Sequence, residues 1–482
     1  MDKFEEKLSP VLSEITRRWE IPGMAVTIVQ NDQVVYTRGF GVQSLDTQIP
    51  VTLDSLFCVA SVSKVFVATA VMQLSERGLI DLDAPIIQYL PYFWLGDARS
   101  TQITIRQALS HTSGMPDLTD FEYVDLWKHP EVDDGALERY VRGLSGRCLL
   151  SNPGEEFHYS NIAYNVLGDV IAKVSGRPFE LYMKEQLLLP SGMPESTFLL
   201  SQIPSELLAV PHLRAPEMIA SPFYPYHRGD APASSLHTNI QEMGNWMRMC
   251  LRRGCLDERE IVRPATFDLM GKPVVKRGWP PFYEEMGLGW NVGHYQGEKT
   301  LSHGGFGAGW TDQLVLLPES GRGLAILSLD ESYSIFRIRQ AILDVLYDQE
   351  PQIDTVSWAV PICQALAKGG SQTAFVRFEE LKKRGMESFW FDEELLITPA
   401  LHLMIVNKPE MAVDLLKLNL IAFPEYDGTY HYLANAYLQK GEPEKAEEIL
   451  LKALSIHPDN PETILLLELV RNRASGLHPL PA

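Results

Sequence analysis

The sequence predicts a mixed α/β (α+β) fold followed by an all-α tail of repeats, and two observations carry the prediction. Segments of strand character gather at both ends of residues 1–348 with helical sequence between them, so one sheet must be closed by segments distant in the chain. Beyond that region, Lys408-Pro409-Glu410-Met411-Ala412 returns as Glu442-Pro443-Glu444-Lys445-Ala446, and Pro424 returns as Pro458, each displaced by 34 residues. The length agrees, since 482 residues fit two or three units of roughly 100–200 residues better than one small core.

The elements follow in chain order. Ala25–Val29 and Val34–Thr37 are apolar and β-branched and flank the turn-like Gln30-Asn31-Asp32-Gln33, which predicts a hairpin. Val62–Arg77 is apolar almost all round and stops at Gly78, the pattern of a helix inside a domain. Residues 80–250 read as mostly helical with Pro- and Gly-rich loops. Strands return at Thr300-Leu301, Gln313–Pro318 and Leu324–Ser328, and an amphipathic helix follows at 335–348. Residues 349–392 read as a helical linker without legible chemistry. Over 393–474 the 34-residue period is that of tetratricopeptide repeats. The better copy pairs Tyr430–Gly441 with Ala446–His457, the copy at 393–426 is degenerate in its first helix, and Pro461–Ala474 reads as a cap. Two copies are fewer than usually stand alone, so they should lean on the preceding domain or on a second subunit.

Composition excludes several classes of function. A formal net charge of −20 argues against nucleic acid and against anionic membrane surfaces as partners. Met1–Lys7 is charged, and neither an apolar leader nor a membrane-spanning stretch follows, so a cytoplasmic location is expected. The 5 cysteines are odd in number and widely spread, which predicts reduced, structural thiols. None of the 12 histidines forms a His-x-x-x-His pair and no phosphate-binding glycine loop occurs, so neither a metal nor a cofactor is expected.

The chemistry is concentrated at Ser61-Val62-Ser63-Lys64, where a hydroxyl and an amine three residues apart share one face of a helix start. A serine hydroxyl is a weak nucleophile until a base adjoins it, and a helix N-terminus aims backbone N–H groups and the positive end of a dipole at a developing oxyanion. The plainer alternatives are that Ser61 is an N-cap and Lys64 a surface lysine, which its apolar helix disfavours. Two later stretches supply further polar groups: Tyr159-Ser160-Asn161, and His303-Gly304-Gly305-Phe306 next to a predicted strand. A core aromatic and a turn residue are the plainer readings of Tyr159 and Asn161. His227-Arg228-Gly229 also fits His-x-Gly, without the second glycine or the adjoining strand.

Ser-x-x-Lys, Tyr-x-Asn and His-x-Gly in this order, with Ile103–Pro116 between the first two, resemble the penicillin-recognising serine hydrolases. The similarity is to the class C β-lactamase-like group, which includes esterases, D-aminopeptidases and D-alanyl carboxypeptidases, and it runs over about residues 10–345. The resemblance implies a β-lactamase/transpeptidase-like fold, with an antiparallel sheet flanked by helices and a helical subdomain across the cleft. It also implies roles: Ser61 as nucleophile, Lys64 and Tyr159 as the proton relay, Asn161 as a ligand of Lys64 and of the substrate. His303, Gly304 and Gly305 would border the substrate, and the Phe306 N–H would be the second oxyanion donor. His303 stands where many β-lactamases carry a lysine, which favours the esterase and D-aminopeptidase branches. Arg106 and His111, within 103–116, read as structural. The expected reaction is hydrolysis of a small ester, amide or peptide through an acyl-enzyme, with β-lactam activity weak. The alternative is a catalytically silent scaffold that binds a partner protein, or a second copy, through its repeats.

Overall fold

The computed structural model describes residues 3–352, 356–385 and 389–474. Its centre is an eight-stranded antiparallel sheet. The strands are β1 (Gly23–Gln30), β2 (Gln33–Gly41), β3 (Val275–Trp279), β4 (Tyr283–Met286), β5 (Asn291–Tyr295), β6 (Glu298–Gly307), β7 (Trp310–Leu317) and β8 (Arg322–Ser328). Their spatial order is β2-β1-β8-β7-β6-β5-β4-β3, so the first hairpin closes against the last strand. The hairpin turn is tighter than the sequence reading: only Asn31 and Asp32 separate the strands, both with left-handed φ (+52° and +65°), as a two-residue hairpin favours.

Helices cover both faces of the sheet, which is why its central strands are apolar on both sides. On one face, Val26, Ile28, Val315, Leu317, Leu324 and Ile326 pack against the helices Lys3–Trp19 and Ser334–Leu346. The N-terminal helix is absent from the sequence reading, although Phe4, Leu8, Leu12, Ile15 and Trp19 form its buried stripe. On the other face, Ala25, Leu314, Leu316, Ala325 and Leu327 join a larger core with Ser63–Glu76, Asn161–Ser175 and Ile240–Leu251. The helix Ser63–Glu76 is buried from Ser63 through Leu74, and its Phe66 stacks on Trp246 at 3.8 Å between ring centroids.

The C-terminal region is all helical apart from Val356-Ser357 and Phe389-Trp390, which form a short two-stranded pairing. After Ala359–Arg384, the helices Ile397–Ile405, Pro409–Ala422, Asp427–Gln439, Pro443–Ile456 and Pro461–Ala474 follow one another. The 34-residue period is visible in burial: Ala412 and Ala446, and Leu416 and Leu450, are fully enclosed pairs at that offset. These helices rest on the sheet-containing part. The Tyr432 hydroxyl donates to Asp120, Lys408 Nζ donates to Ala215 O at 3.1 Å, and His402 Nδ1 accepts the Arg214 N–H at 3.0 Å. Among the described residues no helix is long and apolar enough to cross a membrane.

Candidate active site

Ser61 lies in a single 3₁₀ turn, Ala60–Val62, that runs into the helix starting at Ser63. The first N–H groups of such a turn have no intrahelical acceptor and are free to serve a ligand. Ala60 just before it has φ +41°, a strained value for a residue with a Cβ, of the kind that clusters at functional sites. Ser61 is partly accessible, whereas Lys64, one turn on, is completely buried.

Lys64 Nζ donates to Ser61 Oγ at 3.0 Å, to Ala233 O at 2.9 Å, and to Asn161 Oδ1. Three acceptors match the three N–H donors of an ammonium. A neutral amine has two N–H bonds and a lone pair. The acceptors Asn161 Oδ1 and Ala233 O cannot donate, so they keep the N–H bonds, and the lone pair is left facing the one partner able to donate, the Ser61 hydroxyl.

Each of the two fixed acceptors is itself held. Asn161 opens the helix Asn161–Ser175, capped by Ser160, and its Nδ2 donates to Asp117 Oδ2 at 2.8 Å. Asn165, one turn further on, accepts the Ala233 N–H at 3.0 Å and donates to Asp230 at 2.7 Å. Burial pushes the Asp230 carboxyl up to about 6, and it raises that of Asp117 as well.

Tyr159 presents its ring to Lys64, with Nζ 5.0 Å from the centroid. Behind it lies His111, a residue that the sequence reading left as structural. The His111 ring stacks on Tyr159 at 4.3 Å and 25°, and its Nδ1 accepts the Ser160 N–H at 3.1 Å. That bond fixes the proton on Nε2 of a neutral ring. Burial, and then the Lys64 charge, hold the His111 pKa well below the usual histidine range. His111 has φ +55°, so the loop is bent at the residue that props the tyrosine. Arg106 keeps a structural place, paired with Asp83 at 2.7 Å.

His303, Gly304, Gly305 and Phe306 lie inside β6, not ahead of a strand, and β6 is internal to the sheet instead of at its edge. The reason the segment is still open is register. β5 pairs only as far as Asn291 opposite Ser302, so residues 303–307 run past the end of that neighbour and keep a local free edge. His303 and Gly305 pair with Leu314 and Asp312 and face the Ser61 side, whereas the Phe306 ring lies 6.1 Å from Phe336 on the opposite layer. The Phe306 side chain therefore points away from Ser61. A Cβ at Gly305 would stand 2.5 Å from Val59 O, so the glycine is what lets β6 approach the turn that carries Ser61. Burial, and then the charge of Lys64, press the His303 pKa down to about 3, leaving a neutral imidazole. His227 is elsewhere, with Nδ1 accepting the Gly229 N–H at 3.0 Å as the cap of a short turn.

One further residue escaped the sequence reading. Arg277, on β3, lies 4.9 Å from the ring centroid of Trp279, 5.0 Å from that of Tyr283, 5.3 Å from Phe157 and 5.9 Å from Tyr159. Nothing in Val275–Trp279 marks it, because a lone arginine on an exposed strand reads as surface. Among the described residues no group of three His, Cys, Asp or Glu side chains could hold a metal ion, and all five cysteines are free.

Sequence order, sheet and the Ser61–Lys64 pair converge on one class, and the chain matches the beta-lactamase family over residues 12–345. It belongs to that family of serine hydrolases, and a tetratricopeptide repeat matches at 427–470. It is similar to Protein flp of Staphylococcus aureus, 26% identical over 251 residues covering 51% of this chain and 49% of that protein. Beta-lactamase-like protein 2 of Dictyostelium discoideum is 27% identical over 320 residues, covering 62% of this chain and 57% of its own. The chain thus spans about half the length of the curated relatives it matches. Among solved structures, the octameric penicillin-binding protein homologue from Pyrococcus abyssi superposes with a TM-score of 0.64 at 26% identity, covering 76% of this chain and 81% of that one.

Proposed function

We propose that the protein is an acyl-enzyme hydrolase of small esters or amides, of esterase or D-amino-acid peptidase type, with Ser61 as nucleophile. The observation that carries the reading is the environment of Lys64, whose two fixed acceptors turn its third position toward Ser61 Oγ at 3.0 Å. In this reading Lys64 takes the Ser61 proton as Oγ attacks the acyl carbonyl. The N–H groups of Ser61 and Phe306 receive the oxyanion, and the Lys64/Tyr159 pair returns the proton to the departing oxygen or nitrogen. Water then enters by the reverse path and releases the acid. Asn161 positions Lys64, and His303, Gly304 and Gly305 shape the wall along which the substrate lies. The repeats at 393–474, which carry no candidate nucleophile or base, serve assembly or partner binding.

The test is labelling with a fluorophosphonate followed by intact-mass and peptide mapping. An adduct on residue 61 is expected, absent from Ser61→Ala. An adduct on Ser160, or an active enzyme with none, refutes the assignment.

A further inference from the structure

The C-terminal helices meet the sheet-containing part at the far end of β6. Residues 303–307 run past the end of β5, so their place beside Ser61 is set by β7 and by the turn Ala308-Gly309 that joins the two strands. Two segments grip that turn. The Gly309 N–H donates to Glu331 Oε2 at 3.3 Å, and Gly309 O accepts the His212 N–H at 3.4 Å. A Cβ on Gly309 would stand 2.6 Å from His212 N, so the strand His212–Arg214 lies directly against the turn. Both segments are held by one side chain of the helix Ile397–Ile405. His402 is 1% exposed, accepts the Arg214 N–H on Nδ1 at 3.0 Å and donates from Nε2 to Glu331 Oε2 at 2.9 Å. An Nδ1 that accepts carries no proton, so the ring is neutral with its hydrogen on Nε2. Glu331 Oε2 thus takes one donor from the helix and one from the turn. Three residues beyond His402, Ile405 joins Ala308 and Leu213 in a small buried apolar cluster.

We infer that His402 is a positioning residue for the reaction: through Glu331 and Arg214 it fixes the turn that ends β6, and with it the distance between the Phe306 N–H and Ser61. The inference rests on the acyl-enzyme reading above, in which that N–H receives the oxyanion. The lever is short. Phe306 pairs with Thr311 and Gly307 with Trp310, so Ala308 and Gly309 stand two and three residues from the donor. The same stretch of β6 meets the turn that carries Ser61, since a Cβ on Gly307 would stand 3.8 Å from the Ala60 Cβ. Glu331 is tied to β7 as well, because the Ser332 N–H beside it donates to Thr311 Oγ1 at 3.3 Å. A shift of Glu331 therefore reaches both strands of the hairpin. Without the imidazole, Glu331 loses its one side-chain donor among the described residues. At 20% side-chain exposure it can then turn toward water, and the Gly309 N–H loses a fixed acceptor.

The experiment uses the full-length protein and the second-order rate of Ser61 labelling by a neutral fluorophosphonate, with light scattering and urea denaturation of every variant. His402→Ala should label about tenfold more slowly at unchanged oligomeric state, the scale of a displacement of a fraction of an ångström between nucleophile and oxyanion donor. His402→Gln, whose amide can both accept the Arg214 N–H and donate to Glu331, should recover most of the wild-type rate. Glu331→Ala should slow labelling to a similar degree, and the double variant His402→Ala/Glu331→Ala should be little slower than either single one, as residues on one path behave. A role confined to stability would lower the urea midpoint and leave the rate of the folded protein unchanged. That result with His402→Ala, or a double variant at the full product of the single effects, overturns the inference. If His402→Ala does not fold, Glu331→Ala decides by the same measurement. Wild-type labelling separates the two claims: an adduct on residue 61 with variants at the wild-type rate removes only the role of His402, whereas no adduct removes the acyl-enzyme reading and this inference with it.

Discussion

Gly305→Ala tests whether β6 and the turn that carries Ser61 are held in register by the absence of one methyl group. The new Cβ would stand 2.5 Å from Val59 O and 3.1 Å from Asp312 Oδ2. Ordinary contact begins near 3.4 Å, so turn and strand must part by close to one ångström. Val59 O cannot swing aside. It accepts the Val62 N–H at 3.0 Å, and that bond defines the turn carrying Ser61. Overpacking of this kind costs about 1–3 kcal/mol of stability. A displacement of about 1 Å between nucleophile and oxyanion donors costs on the order of 100-fold in rate. Gly307→Ala is the internal control, since its nearest neighbours would be Trp310 and Ala60 at 3.7 and 3.8 Å. The assay is the second-order rate of Ser61 labelling by a fluorophosphonate, with urea denaturation of each variant. Gly305→Ala should label about 100-fold more slowly while still folded, and Gly307→Ala should match the wild type within a few-fold. Equal rates for wild type and Gly305→Ala would refute the argument that this contact sets the site.

Lys64→Ala and Tyr159→Phe should each lower turnover by about 100-fold or more, and the double variant should fall far short of the product, as the proposed shared relay requires. Full multiplicativity in steady-state kinetics would separate them. His303, with its pKa lowered to about 3, is neutral in the folded protein and protonates in the unfolded chain below about 6.5. Its stabilising contribution is therefore present above pH 6.5 and is lost as pH falls toward 3, at about 1.4 kcal/mol per unit. His303→Gln should show a flatter decline than the wild type between pH 7 and 5 in denaturant titrations, and parallel declines would count against a buried neutral ring. Truncation before residue 393 uncovers Asp120, Ala215 and the Arg214 backbone N–H, and light scattering should register a changed oligomeric state or lower solubility. A truncated protein that is monodisperse and soluble but unreactive at Ser61 would show that the repeats help to build the site.

The parts of this protein that were legible in sequence are those in which a residue's neighbours along the chain are also its neighbours in space. The Ser61–Lys64 pair is one helical turn, the first hairpin closes through two residues, and the 34-residue repeat stacks each helix on the next. The strands Val275–Trp279, Tyr283–Met286 and Asn291–Tyr295 were missed because they are short, charged and broken by Pro280-Pro281 and Gly287, without the alternation that a half-buried strand shows. With them went Arg277, whose meaning depends on rings contributed from residues 157, 159, 279 and 283. His111 was read as structural, but what it supports was not legible for a related reason. Its backbone belongs to a loop, and only the fold shows that its ring lies against Tyr159.

The same logic explains how the repeats reach the chemistry. Tyr432, on the helix Asp427–Gln439, donates to Asp120. Asp120 begins the helix Asp120–Lys128, whose Tyr123 donates to Asp117 at 2.8 Å. Asp117 accepts from Asn161, and Asn161 accepts from Lys64. Outside the segment Asp117–Tyr123 no pair in that path is close in sequence, so no local pattern could reveal it. Its side chains are joined by hydrogen bonds at every step but one, the helical turn between Asp120 and Tyr123. Tyr432→Phe removes one hydroxyl and takes this partner from the Asp120 carboxylate while the ring remains. A slower Ser61 labelling rate in that variant, at unchanged oligomeric state, would locate an influence of the repeats in this path, whereas an unchanged rate would show that this path carries none.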